Sequence, residues 1–129
     1  MEFEPFIVSS VVSKKIAEGA EAIVYDVKCG SGAFVTTLEA AQSLGRRLVA
    51  TTRALGRKSS GLITDMSQPL GSCVGNALEV REAIAALQGA GPPDVRHLTL
   101  ELAARMLEAA GTDSSLEGAR ERARRALDG

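Results

Sequence analysis

Ser10 and Lys14 form the first pair of side chains in this sequence whose types and spacing could support binding chemistry. Residues four positions apart lie on the same face of a helix, so a hydroxyl and an ammonium group would project together. Such a pair of donors suits a ligand that carries adjacent carbonyl groups. An exposed serine beside a solvated lysine is the alternative interpretation, and the spacing alone favours it.

A glycine-rich turn, Gly30-Ser31-Gly32, is the second feature that could bind a ligand, because the N–H groups of such turns can face an anion. Val35 stands where the dinucleotide-binding pattern G-x-G-x-x-G has its third glycine, and the Gly-Lys-Ser/Thr of the Walker pattern is absent from the sequence. The pattern therefore favours a tight turn with a structural role.

Two further side chains, those of Glu82 and His97, are of types that can take part in a site. Glu82 lies six residues after Asn76, in a predicted helix, and could reach back to a cation held by carbonyl groups of the preceding loop. His97 follows a proline turn with no nucleophile near it in sequence, which favours a surface or capping role. The sequence offers no Ser-His-Asp set, no paired catalytic carboxylates and no zinc-ligand spacing.

Two strands must position these residues. The unbroken apolar run Ala22–Tyr25 predicts a strand covered on both faces, and Ser59–Thr64 predicts a second short strand. The segment between them has a helical stripe and a capping box, Thr36 with Glu39. Strand, helix and strand in this order predict parallel pairing, which brings both following loops to the sheet edge where ligands bind in α/β proteins.

Helical periodicity describes the rest of the chain, from a first helix over Ile7–Ala17 to a carboxy-terminal third that is all helical. Two later helices have start signals in which a polar residue precedes a glutamate by three positions. These pairs are Asn76 with Glu79 and Ser114 with Glu117. The predicted fold class is α/β, a partial parallel or mixed sheet flanked by helices, in a single domain over residues 1–129.

The apolar stripes of these helices predict which positions face inward. The predicted positions are Leu38, Ala41, Leu44, Leu48, Val49 and Leu55 between the strands, then Ala77, Val80, Ile84 and Leu87, and finally Ala119, Ala123 and Leu127. Arginines lie opposite the last three. We interpret them as a solvated face supported by pairs such as Glu121 with Arg125, and an anion site is the alternative.

Composition limits the class of protein. With 15 Lys and Arg against 16 Asp and Glu, no strong positive field favours binding to nucleic acid or to an anionic membrane. No stretch approaches the roughly 20 apolar residues of a membrane span. Cys29 and Cys73 lie in different predicted loops, without a C-x-x-C pattern or a secretory apolar region at the start, so we expect a soluble, cytoplasmic protein.

Taken together, these segments resemble the pyrimidine-nucleoside and thymidine phosphorylases. The resemblance covers roughly residues 7 to 110, with motifs in the order and spacing of the family. The matching blocks are Ser10–Lys15, Asp26–Phe34, Thr64–Gly71, Val74–Ala83 and Gly89–Asp94.

The resemblance implies phosphorolysis: inorganic phosphate cleaves a pyrimidine nucleoside to the free base and a ribose or deoxyribose 1-phosphate, without an organic cofactor and in a homodimer. It implies that Ser10 and Lys14 hydrogen-bond the pyrimidine, and that Ile7 and Phe34 pack on it. Lys14 would then be catalytic, because negative charge develops on the base as the glycosidic bond breaks.

The resemblance also implies a potassium site formed by the main-chain carbonyls of Leu70 and Cys73 and the carboxylate of Glu82. The family's phosphate-binding residues and its base-binding arginine have no counterpart in this sequence. We therefore expect a fragment that carries part of the active site and is inactive alone. A non-catalytic structural or interaction module with the same fold is the alternative, and a phosphoribosyltransferase relative is a weaker one.

Overall fold

The computed structural model describes residues 4–129, which belong to two compact units. The amino-terminal unit ends at Gln68, and the carboxy-terminal unit is Pro69–Gly129. Within residues 4–129, no helix combines the length and the apolar character that crossing a membrane requires. The expectation of a single domain over residues 1–129 stays a prediction.

The amino-terminal unit contains the predicted strand, helix and strand. Its elements are α1 (Glu4–Ala17), β1 (Ala22–Cys29), α2 (Leu38–Ala54) and β2 (Lys58–Asp65). The two strands pair in parallel, in a register that runs from Ala22 opposite Lys58 to Cys29 opposite Asp65. The predicted parallel pairing is therefore confirmed, and both carboxyl ends lie at one edge of the sheet.

One hydrophobic core holds this unit together, and it covers only one face of β1. Buried residues alternate along the strand at Ile23, Tyr25 and Val27, whereas Val24 and Asp26 are partly exposed. The remaining core residues are Val8 and Val12 of α1, Val35, and Ala41, Leu44 and Leu48 of α2. The prediction of a strand covered on both faces was wrong. Both helices contribute to the one core, and the residues of β1 that alternate with the buried ones stay partly exposed.

The start of α2 lies one residue later than the capping box predicts. Thr37, not Thr36, is the N-cap, and its hydroxyl accepts a hydrogen bond from the Ala40 N–H at 3.3 Å. Val35 is buried and bridges to the end of β1, which keeps the following residues extended. Two inward predictions at the helix ends were also wrong, since Leu38 and Leu55 are exposed.

The carboxy-terminal unit is all helical, as predicted. It consists of α3 (Asn76–Leu87), α4 (Pro93–Ala110) and α5 (Leu116–Asp128). Gly75 rather than Asn76 is the N-cap of α3, with φ 115° and no side-chain cap. Ser115 rather than Ser114 caps α5, accepting from the Gly118 N–H at 3.1 Å. The predicted cap of α5 was one residue early, as in α2, whereas that of α3 was one residue late.

The buried side chains of this unit are small. Ala104 of α4 and Ala119 and Ala123 of α5 are buried, which confirms the inward alanines of the last helix. By contrast, Val80, Ile84 and Leu87 are exposed, and α3 buries none of its residues. The inward prediction for α3 was wrong.

Charged pairs connect α4 and α5. The Arg120 guanidinium donates to the Glu101 carboxylate at 2.7 Å, and this hydrogen bond holds the pKa of Glu101 below its usual value. The predicted pair of Glu121 with Arg125 is present at 4.0 Å between Oε1 and Nε. These pairs support the interpretation of the arginines as a solvated face.

Candidate functional site

The α1 helix presents the predicted binding residues on one face. Ile7, Ser10, Val11 and Lys14 are separated by steps of three and four positions within Glu4–Ala17. Ser10 and Lys14 are exposed. Lys14 forms no ion pair with any residue of the described chain, whereas the neighbouring Lys15 pairs with Glu18 at 3.0 Å. No described residue therefore neutralises the Lys14 ammonium.

Ile7 and Phe34 line one cavity of about 470 Å³ in the amino-terminal unit. Its walls are mostly apolar and include Val11 of α1 and Met66 of the loop after β2. Phe34 is 75% exposed, so its ring is available to a flat ligand. Ser10 and Lys14 do not line this cavity, although they lie on the same face of α1 as Ile7 and Val11.

The loops after the two strands meet beside this cavity. The Met66 N–H donates to the Cys29 carbonyl at 2.7 Å, and the Gly32 N–H donates to the Met66 carbonyl at 2.9 Å. A Cβ on Gly30, which has φ 143°, would lie 2.6 Å from the Ser67 nitrogen. The glycines are required by this close approach, which supports the structural interpretation of the turn.

The second loop is braced by its own carboxylate. Asp65 accepts a hydrogen bond from the Ser67 N–H at 2.9 Å. The hydrogen bonds from Ser67 lower the pKa of Asp65, so this carboxylate is ionised at neutral pH. It terminates β2 and orders the turn that faces Gly30 and Gly32.

Asp26, Lys28 and Thr64 form a polar cluster at the carboxyl end of the sheet that the sequence analysis did not assign to the site. One oxygen of the Asp26 carboxylate lies 2.7 Å from the Lys28 ammonium, and the other accepts from the Thr64 hydroxyl. Asp26 and Lys28 also line the cavity. The available signal was the i,i+2 spacing of Asp26 and Lys28, which places both on one face of a strand.

In the carboxy-terminal unit, Glu82 contacts the loop that precedes its helix, and its role in holding a cation stays a prediction. Its Oε2 accepts from the Ser72 N–H at 2.8 Å, and a Cβ on Gly71 would overlap its carboxylate. Burial raises the pKa of the Cys73 thiol, and a hydrogen bond with Glu82 raises it further. Asp94 also holds this loop, since it accepts from the Gly71 N–H at 2.8 Å.

A metal site at this loop would depend on carbonyl oxygens. Among residues 4–129, no group of three or more His, Cys, Asp and Glu side chains is placed to hold a metal ion. The predicted set of Leu70, Cys73 and Glu82 uses only one side chain, so it stays a prediction. His97 is exposed, in agreement with a surface role.

Comparison with known proteins identifies the family. Residues 5–129 match the profile described as glycosyl transferase family, a/b domain. The chain belongs to this glycosyl transferase family. The match extends over both units, and the predicted α/β fold class agrees with it.

Curated relatives of the family confirm the resemblance found in the sequence blocks. The chain is 51% identical over 117 residues to a pyrimidine-nucleoside phosphorylase of Staphylococcus epidermidis, covering 91% of this chain and 27% of that protein. It is 48% identical over 124 residues to the Staphylococcus haemolyticus protein of the same name, covering 96% of this chain and 29% of the relative. The chain thus spans less than a third of the length of these relatives.

Proposed function

We propose that this chain supplies the base-binding surface of a pyrimidine-nucleoside phosphorylase. Such an enzyme transfers the pentosyl group of a pyrimidine nucleoside to inorganic phosphate and needs no organic cofactor. The observation that supports this proposal best is the cavity lined by Ile7 and Phe34, adjoining the α1 face that carries Ser10 and Lys14. Its volume lies within the range of small-molecule pockets.

In this proposal, Ile7 and Phe34 pack against the faces of the pyrimidine, and Ser10 and Lys14 hydrogen-bond its polar edge. As the glycosidic bond breaks, negative charge develops on the base. A cation directed at that charge stabilises the transition state more than the bound substrate. Lys14 is suited to this role because no ion pair with a described residue neutralises it.

We also infer that a potassium ion would be held by the Leu70 and Cys73 carbonyls and the Glu82 carboxylate. Hard oxygen donors suit this cation. Gly71 allows Glu82 to approach this loop, since a Cβ at residue 71 would overlap the Glu82 carboxylate. The ion would order the loop that Glu82 already contacts. A homodimeric enzyme in the cytoplasm is part of the same proposal.

A second candidate function is a non-catalytic interaction module. The exposed side chains of Val80, Ile84 and Leu87 on α3 favour it, because apolar residues grouped on one helix suit association with another protein. A phosphoribosyltransferase is less well supported, since the relatives described above are named as nucleoside phosphorylases.

The test is a titration of uracil and thymine into the 129-residue chain, followed by two-dimensional NMR. We expect saturable shifts around Ser10, Lys14 and Phe34. Lys14→Met should weaken binding about 10- to 100-fold, because a charge-assisted hydrogen bond is lost. Lys15→Met is the matched control, since Lys15 pairs with Glu18 and does not belong to the proposed site.

Two results would contradict the proposed function. One is a well-dispersed spectrum that neither base perturbs, which would favour the interaction module. The other is equal loss of affinity in the Lys14 and Lys15 variants, which would indicate a general charge effect. In an assay with thymidine and phosphate, we expect the chain alone to release no thymine.

A further inference from the structure

Asp26 and Lys28, which form an ion pair, are the only charged residues among the described residues that line the cavity. The other described residues that line the cavity are apolar or glycine, apart from the single hydroxyl of Tyr25, which hydrogen-bonds Thr52 at 2.7 Å. The side chain of Lys28 is 34% exposed and that of Asp26 is 22% exposed. A mostly apolar cavity with a few converging polar groups is the usual form of a small-molecule site.

The strand pairing restricts where Lys28 can reach. Lys28 lies opposite Thr64 in the parallel register, so both are in the last pairs at the carboxyl end of the sheet. Thr64 donates to one oxygen of Asp26, which leaves the other oxygen for Lys28. The carboxylate is thereby held from two sides, and the lysine is held with it.

We propose that Lys28 is a second cationic contact of the base site, donating a hydrogen bond to an exocyclic carbonyl oxygen of a pyrimidine held between Ile7 and Phe34. This inference rests on the proposed function, since it takes the occupant of the cavity to be a pyrimidine.

The chemistry of lysine supports this role. An ammonium group has three N–H donors, and Asp26 is the only described residue that forms an ion pair with Lys28. Donors therefore remain for a ligand oxygen. A hydrogen bond from an ionised donor is stronger than one between neutral groups, and the Lys28 side chain is only partly exposed to competing water. Asp26 offsets part of the cost of placing a cation there.

The geometry also distinguishes Lys28 from Lys14. Lys28 lies at the end of β1 and lines the cavity, whereas Lys14 is exposed on α1 and does not line it. In this proposal, the two cations contact different oxygens of one planar ring. Lys28 would help to distinguish a base with two exocyclic carbonyls from a base that has an amino group at one of these positions.

The experiment measures the affinity of the full 129-residue chain for uracil, cytosine and 5-nitrouracil, which is anionic at neutral pH, by isothermal titration calorimetry. We expect Lys28→Met to weaken uracil binding about 10- to 100-fold and 5-nitrouracil binding more strongly. Lys28→Arg, which keeps the charge, should retain most of the affinity. Cytosine, which lacks one carbonyl, should respond less to the substitution.

Lys58→Met is the matched control. Lys58 is an exposed lysine of β2 that pairs with Ala22 at the opposite end of the same sheet and does not line the cavity. We expect it to bind uracil like the wild type. Two-dimensional NMR spectra of the backbone amides establish whether each variant is folded. Lys28→Gln serves as a second neutral variant if Lys28→Met does not fold.

The outcomes separate this inference from the proposed function. Wild-type binding that Lys14→Met reduces but neither neutral Lys28 variant changes would overturn the role of Lys28 and leave the proposed function standing. Failure of the folded wild type to bind uracil would overturn both. A loss of affinity in Lys58→Met equal to that in Lys28→Met would also overturn the role of Lys28.

Discussion

The two units of the chain differ in what stabilises them. In the amino-terminal unit, two helices and a strand bury large aliphatic side chains such as Val12, Leu44 and Leu48. In the carboxy-terminal unit, the buried apolar residues are Ala104, Ala119 and Ala123, and charged pairs connect α4 with α5. A region whose fully buried residues are all alanines gains less hydrophobic free energy from them than one that fully buries leucine and valine, so its loop contacts and ion pairs matter relatively more.

This difference also affects the two proposed sites. The cavity that contains Lys28 and Phe34 is built on the paired ends of β1 and β2, which share a core with α1 and α2. The loop that Glu82 contacts is held by hydrogen bonds to Glu82 and Asp94, both partly or fully exposed to solvent. We therefore expect the base site to be the more rigid of the two.

The largest expected effect tests the difference in burial. Leu44→Ala should lower the free energy of unfolding of the amino-terminal unit by about 2–5 kcal/mol, because it creates a cavity in the core. Ile84→Ala, on the exposed surface of α3, should change stability by less than about 0.5 kcal/mol. Urea denaturation followed by residue-resolved NMR measures both. Similar losses of stability in the two variants would show that Ile84 is packed against other side chains, which would contradict the difference in burial between the two units.

A smaller effect tests the helix starts. Thr37→Ala should destabilise α2 by about 1 kcal/mol, since the N-cap hydroxyl that accepts the Ala40 N–H is lost. Thr36→Ala is the matched control and should have almost no effect. Thermal unfolding monitored by circular dichroism compares them. A larger loss for Thr36 than for Thr37 would restore the cap position that the sequence pattern predicts.

The smallest effect tests the ion pairs of the carboxy-terminal unit. Arg120 lowers the folded-state pKa of Glu101, so the ionised carboxylate stabilises the folded unit. This stabilisation is fully present above the unfolded-state pKa, about 4.3, and is lost as the pH falls through the lower folded-state pKa. Glu101→Gln should cost under about 1 kcal/mol at neutral pH, since the pair is partly exposed. The difference between wild type and variant should vanish in acid. A difference that persists below pH 3 would rule out this origin.

The sequence predicted the elements better than their boundaries. The order of strands and helices, the parallel pairing and the meeting of two loops at one sheet edge follow from apolar runs and from the geometry of a strand, helix and strand. The predicted N-caps were one residue early at Thr36 and Ser114 and one residue late at Asn76. The N-cap is the residue at which the extended chain turns into the helix. At α2, the position of this residue depends on the buried Val35.

The candidate site was predicted in part. The resemblance to the phosphorylases predicts Ile7 and Phe34 as base contacts, and these residues line the same cavity although they are 27 positions apart in the sequence. Lys28 belongs to a matching block, Asp26–Phe34, but the sequence assigns it no role, because its sequence neighbours do not reveal which cavity it lines. The potassium set of Leu70, Cys73 and Glu82 remains a prediction.

The sequence by itself determined the α/β class, the family, and the helix face shared by Ser10 and Lys14, since each follows from local periodicity or from ordered motifs. Only the tertiary structure decided that one face of β1 is covered, that α3 is exposed, and that Asp26, Lys28 and Thr64 form one cluster. These depend on which distant segments pack together. Apolar periodicity indicates that a face can be buried, but burial requires a partner that packs against that face. For β1 the partners are α1 and α2.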